Sequence, residues 1–296
     1  MDPSAPHLKP WPRGHYLAVL FGILLALLSW LGAAVWTLLH FRRTETPTLA
    51  GLVCVGVVLI VICLPLAIAR RRGLARARGL NGSNEEALAE LRAGRYEEAA
   101  ALLNALVLSA RYAPAMHALY LHNLGMAWLH LGHLGAARTL MERALASGWL
   151  SVPVLRHVLP AVHVGRALAL GLEGDLAGAR AVLDALAPTL PEARKPMTML
   201  AGAVIAVRGG GSVRFDEEAL HRAEASLMPS HIRALRLLEA FSRGRPERSA
   251  YREGAGSDPV DAIGIHPGEL DFQGAAWPEL RAFLNARGLV TGESAG

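Results

Sequence analysis

The stretch LHNLGMAWLHLGHLGAARTLMERAL, Leu121 to Leu145, decides how the chain is read: three histidines and a tryptophan stand in it with a single acid, Glu142. Such a run is either a metal or catalytic site or a packing surface whose histidines are incidental. His130 and His133 have a spacing seen in metal sites, but Gly132 marks a helix end between them. No Cys, Asp or Glu lies near enough in sequence to complete a tetrahedral shell. His122 and His130, eight apart, fall on one face of a helix. The expectation is therefore packing, with the histidines lining a groove or a turn.

The rest of the soluble part repeats this text. LRAGRYEEAAALLNAL, WLHLGHLGAARTLMERAL and LALGLEGDLAGARAVLDAL align, each with a glycine that closes one helix: Gly94, Gly132 and Gly174. Five residues later an alanine falls inside the next helix (Ala99, Ala137, Ala179), and these alanines are 38 and 42 residues apart. Periods of this size mark repeat architectures. Small residues at such positions let two helices approach to the usual 8–10 Å, which a bulky side chain at Gly125 or Ala137 would prevent.

On these residues the pattern resembles the tetratricopeptide repeat (TPR) family. The middle unit carries most of it, with Leu121, Leu124, Gly125 and Trp128 on the first helix and Ala137, Met141 and Ala144 on the second. The third unit keeps Ala167, Leu170, Ala179, Leu183 and a closing Pro191, while the first matches mainly over Gly94, Tyr96, Ala99 and Leu103. The resemblance implies an all-α solenoid of about three repeats that presents a groove, lined by each unit's first helix, to a segment of a partner protein. Carried over by position, the groove consists of Leu119, His122, Met126, Leu129 and His130 from the middle unit, and Ala161, Val164, Leu168 and Leu172 from the third. Of the Lys, Asn and Arg with which some members clamp a C-terminal carboxylate, only Asn123 has a counterpart here.

Ahead of the repeats the text is lipid-like. Tyr16 to Leu39 runs 24 residues without a charge and Leu49 to Ala69 runs 21, each enough to cross about 30 Å of hydrocarbon. Trp11, Tyr16, Trp36 and Phe41 stand near the ends of the first, where amphipathic rings prefer to sit. The loop HFRRTETP is short, so the two spans form an antiparallel hairpin. Neither carries an ionisable interior residue, so the hairpin reads as an anchor and not as a transport path. Ala18, Gly22, Ala26, Ser29 and Ala33 make a small-residue face for packing on the second span or for self-association.

Net charge is +5 and nearly all of it is arginine, because Lys9 and Lys195 are the only lysines. Arg70, Arg71, Arg72, Arg76 and Arg78 follow the second span directly, which favours anionic headgroups over nucleic acid as their partner. The positive-inside rule then puts both termini in the cytoplasm. The Ala-, Leu-, Gly- and Arg-heavy, lysine-poor composition points to a bacterial inner membrane. Cys54 and Cys63, nine residues apart in one apolar segment, point to nearly opposite sides of a helix and exclude a disulfide between them. Neither a phosphate-binding Gly-x-x-x-x-Gly-Lys nor a G-x-S-x-G nucleophile motif occurs.

The expected organisation is thus an N-terminal tail (1–15), a transmembrane hairpin (16–69), a basic juxtamembrane segment (70–82) and a helical repeat domain (83–208). A further helical hairpin (212–244), a flexible linker (245–276) and a short C-terminal helix (277–288) follow. Ser83 marks the first helix start, Lys195 to Arg208 a helix covering the last repeat, and Gly209 to Gly211 a flexible joint. The expected role is a membrane-anchored scaffold that binds a partner protein, without cofactor, metal or catalysis. The alternative is a structural subunit that self-associates, a homo-oligomer, in an envelope assembly.

Overall fold

The structure, a computed structural model, describes residues 5–10, 12–42, 79–110, 113–244 and 268–290. The expected second span, Leu49–Ala69, and the arginines from Arg70 to Arg78 lie outside these residues. Two units are present, residues 11–83 and a second made of 1–10 together with 84–296. All regular structure among the described residues is helical.

In the first unit, α1 (Arg13–Arg42) is a single helix of 30 residues, about 45 Å long at 1.5 Å per residue. Its stretch Arg13–Gly32 has a mean hydropathy of 1.9, and none of it is buried. Phe21, Trp30 and Trp36 are more than half exposed on a helix that is apolar all round. A helix of that kind is stable only inside a protein core or in lipid, and α1 is long and apolar enough to cross a membrane. It starts at Arg13, three residues earlier than the uncharged run.

The second unit is a series of helix pairs: α2 (79–92) with α3 (Tyr96–Ser109), α4 (Pro114–His130) with α5 (Leu134–Ala146), and α6 (Leu159–Glu173) with α7 (Leu176–Leu186). From α4 onward each helix packs on the one before it, and α8 (Met199–Arg208) lies against both α6 and α7. Ser83 falls inside α2 and does not cap it, since helix is already running at residue 79. The turns are those the glycines demand. Gly94, Gly132 and Gly174 have φ of 79°, 79° and 101°, a left-handed region that costs any L-residue roughly 1–2 kcal/mol. In each turn the residue after the glycine donates its N–H back five positions (Arg95 to Glu90, His133 to Trp128, Asp175 to Leu170), which caps orphan carbonyls of the preceding helix.

Each pair carries two small residues twelve positions apart, one per helix: Ala87 and Ala99, Gly125 and Ala137, Ala167 and Ala179. The alanines are fully buried. A Cβ on Gly125 would stand 3.2 Å from the Ala137 carbonyl and 3.3 Å from Met141 Cγ, so the helices cross at backbone contact there.

Three expectations change. Gly209 to Gly211 is no loose joint: Gly211 N–H donates to Ala206 O at 2.8 Å and Gly210 has φ of 89°, which is the same cap that closes α2, α4 and α6. Lys195–Arg208 is helical in two parts, because Pro191 and Pro196 confine Glu192–Thr198 to 3₁₀ geometry and α8 begins at Met199. The segment expected to be a linker over 245–276 is packed from residue 268 on. Leu270 and Phe272 are buried, the latter completely, because apolar side chains among the glycines have a helix to cover.

After α8, α9 (Glu217–Glu224) and α10 (Pro229–Arg243) form the hairpin, with Pro229 as the first residue of α10. Arg236 holds Glu217 bidentately at 2.9 and 2.7 Å across it. α10 is buried on most of its circumference, through Ile232, Leu235, Leu238 and Phe241 among others, and packs on α8. α11 (Asp271–Gly274) packs on α4, and α12 (Pro278–Asn285) with the Trp277 before it lies against α10. There Trp277 and Phe283 set their rings edge-on against Phe241, 5.5 and 5.2 Å away between centroids.

A candidate binding pocket on the first helices

The first helices of the pairs turn one side toward the α9–α10 hairpin, and a cavity of about 250 Å³ remains between them. Leu88, Leu91 and Arg92 of α2 form one wall, followed by His122, Asn123 and Met126 of α4. Ala161, Val164, Gly165 and Leu168 of α6 continue it to Met197, Leu200 and Ala201. Ser226, Leu227, Met228 and His231 close it from the opposite side. Apolar residues two to four apart on consecutive helices put these side chains on one face, which is why the lining was partly legible. Of the expected groove residues, His122, Met126, Ala161, Val164 and Leu168 reach the cavity.

The others do not. Leu119 is half-buried away from it, and Leu129 and Leu172 are fully buried between helices. His130 is sealed by a column of rings: Tyr96 lies parallel to it at 4.5 Å between centroids, and Phe272 of α11 meets it edge-on at 4.7 Å. Its Nε2 stands 3.2 Å from His231 Nε2, so one imidazole donates its proton to the other. Among the described residues no other acceptor reaches that pair, and no three metal-ligating side chains converge. His133, by contrast, is exposed at the turn before α5.

Burial sets the electrostatics. His122 and His231 are pulled down to about 4 by desolvation. His130 falls well below the usual imidazole value, first from burial and then from the neighbouring His231. All three rings are therefore neutral near pH 7. Burial likewise raises the Tyr96 phenol, an effect that a hydrogen bond with Ser230 partly offsets. Asn123 is engaged as well: its Nδ2–H donates to Asn84 Oδ1 at 2.9 Å. His122 and His231 both line the cavity, and the Nδ1 of His122 is buried without a partner. Arg92 is the one charged residue in the lining.

A second feature lies at the other end of α4. Pro6–Leu8 forms a 3₁₀ turn whose Leu8 is fully buried in the helical unit. His117 Nε2–H donates to the His7 carbonyl at 2.8 Å, and His7 Nε2 meets Asn104 Oδ1 at 3.3 Å. Burial lowers the His117 imidazole, against a smaller opposing effect of that carbonyl. Sequence reading passed over this contact because His7 and His117 are 110 residues apart. His231, Arg92, Met197 and Met228 were missed for the same kind of reason, since nothing local says which helix crosses which. Compared with known proteins, the chain matches no family model, no curated protein and no solved structure.

Proposed function

We propose that this chain is a membrane-anchored scaffold of the TPR type, which uses the cavity on its first helices to hold a segment of a partner protein. The observation that carries this reading is the cavity itself. Side chains from α2, α4, α6 and α8 share one apolar wall, as expected of a repeat array that recognises an amphipathic segment. The lining contains no carboxylate and its histidines are neutral, which suits binding better than proton transfer.

The proposed topology is a two-span hairpin in a bacterial inner membrane with both ends in the cytoplasm. Support comes from the seat of Pro6–Leu8: residues before α1 belong to the same packed unit as residues after 84. If α1 crosses once, the chain between residues 43 and 83 has to cross back, and Leu49–Ala69 is its uncharged stretch. Arg70, Arg71, Arg72, Arg76 and Arg78 would then meet anionic headgroups on the cytoplasmic side. A photo-cross-linking amino acid at Val164 of the full-length protein, irradiated in native membranes, tests the role. A discrete second polypeptide, lost when Leu168 is replaced by Trp, is expected. Adducts of the chain with itself alone would favour the self-associating structural subunit instead.

A further inference from the structure

The cavity has more chemistry than an apolar groove needs. Its volume, about 250 Å³, exceeds the ~150 Å³ that holds a benzene ring but falls short of the ~300–1,000 Å³ of whole small-molecule sites. That range suits one large side chain delivered from outside. Three half-buried methionines, Met126, Met197 and Met228, line it and can repack around aromatic or aliphatic shapes.

Two polar features select further. His122 is 7% exposed, and its Nδ1 is sealed without a partner. A neutral imidazole carries one N–H and one bare nitrogen, and His122 brings that donor to the lining of the cavity. Arg92 is exposed at the mouth, and no carboxylate among the described residues pairs with it, although Glu90 on the same helix is held by Arg95. The site thus offers a donor inside and a free cation at the rim, with no anion of its own.

From this we infer that the cavity is an anchor pocket for a partner protein segment bearing one large apolar side chain and, about one helical turn away, a carboxylate that meets Arg92. The assignment rests on the scaffold reading and names the chemistry of what the scaffold holds. A free acyl amphiphile has similar chemistry and is the alternative that the test separates.

The test uses the full chain in phosphatidylcholine nanodiscs with ¹³C-methyl methionine, titrated with 4-phenylbutyrate and with 4-phenylbutanol. Saturable shifts are expected at Met126, Met197 and Met228 and not at Met116, with the acid bound about threefold more tightly, as for one exposed ion pair. Arg92→Gln should abolish the preference and leave alcohol binding unchanged. Val164→Phe, which fills the cavity, should weaken both ligands. Absence of saturable shifts, or equal affinities for acid and alcohol in the unaltered protein, overturns the assignment. Dodecanoate bound much more tightly than phenylbutyrate also overturns it, in favour of an acyl-chain site. Probe binding without any captured polypeptide retires the scaffold reading and with it the protein partner assigned to the cavity, while a captured polypeptide without probe binding retires this pocket alone.

Discussion

Gly125 shows how much rests on one missing methyl group. Its would-be Cβ meets the Ala137 carbonyl and Met141 within 3.3 Å, and the carbonyl, being backbone, cannot give way without moving α5 off α4. Gly125→Val should therefore cost about 1–3 kcal/mol, the usual penalty for overpacking. It should lower the thermal midpoint clearly, and Gly125→Ala should lower it less; an unchanged midpoint for the valine variant contradicts the crossing. The histidines give a second residue-scale expectation. His122 and His231 titrate near 4 when folded, against about 6.5 in an unfolded chain. Their folded values are depressed, so between those limits the unfolded chain binds more protons. Stability is full above about 6.5 and is lost as pH falls toward 4. Melting at pH 5 should occur below melting at pH 7.5, and His231→Asn should narrow the gap. A midpoint that does not fall on acidification contradicts the burial of these rings.

At the scale of elements, the pairing of helices was legible and the covering of their shared face was not. Gly94, Gly132 and Gly174 announced the turns because only glycine sits easily at positive φ, a property written in one residue. Met126, Val164 and Leu168 announced the lining because helical period puts them on one side. Leu129, His130 and Leu172 looked the same in sequence but went into the interior. What separates the two sets is the crossing of α10 and α11, whose contacts to α4 join residues more than a hundred positions apart. Their apolar spacing shows a buried face without showing what it is buried against. The packed C-terminal segment carries a corresponding prediction. Phe272 is fully buried on His130, so Phe272→Ala should cost about 3–5 kcal/mol. It should also raise amide exchange along α10. Exchange in α10 identical to that of the unaltered chain would mean that α11 lies elsewhere.

For the whole molecule, the weight falls on residues 5–10. A short turn ahead of α1 is packed into the helical unit that begins at Asn84, so one folded body holds both ends of the intervening chain. A single-span protein with its tail across the membrane cannot have that arrangement. The proposed topology draws on arginine placement in the sequence and on the packing of Leu8. The most direct measurement places one cysteine at a time, His7→Cys or Asn104→Cys, in a chain whose Cys54 and Cys63 are replaced by serine. A membrane-impermeant maleimide is added to spheroplasts before and after the membrane is opened. The account predicts that neither position labels until opening, and that a short bis-maleimide then joins the two in the doubly substituted chain. Labelling of one position but not the other on intact spheroplasts would contradict it.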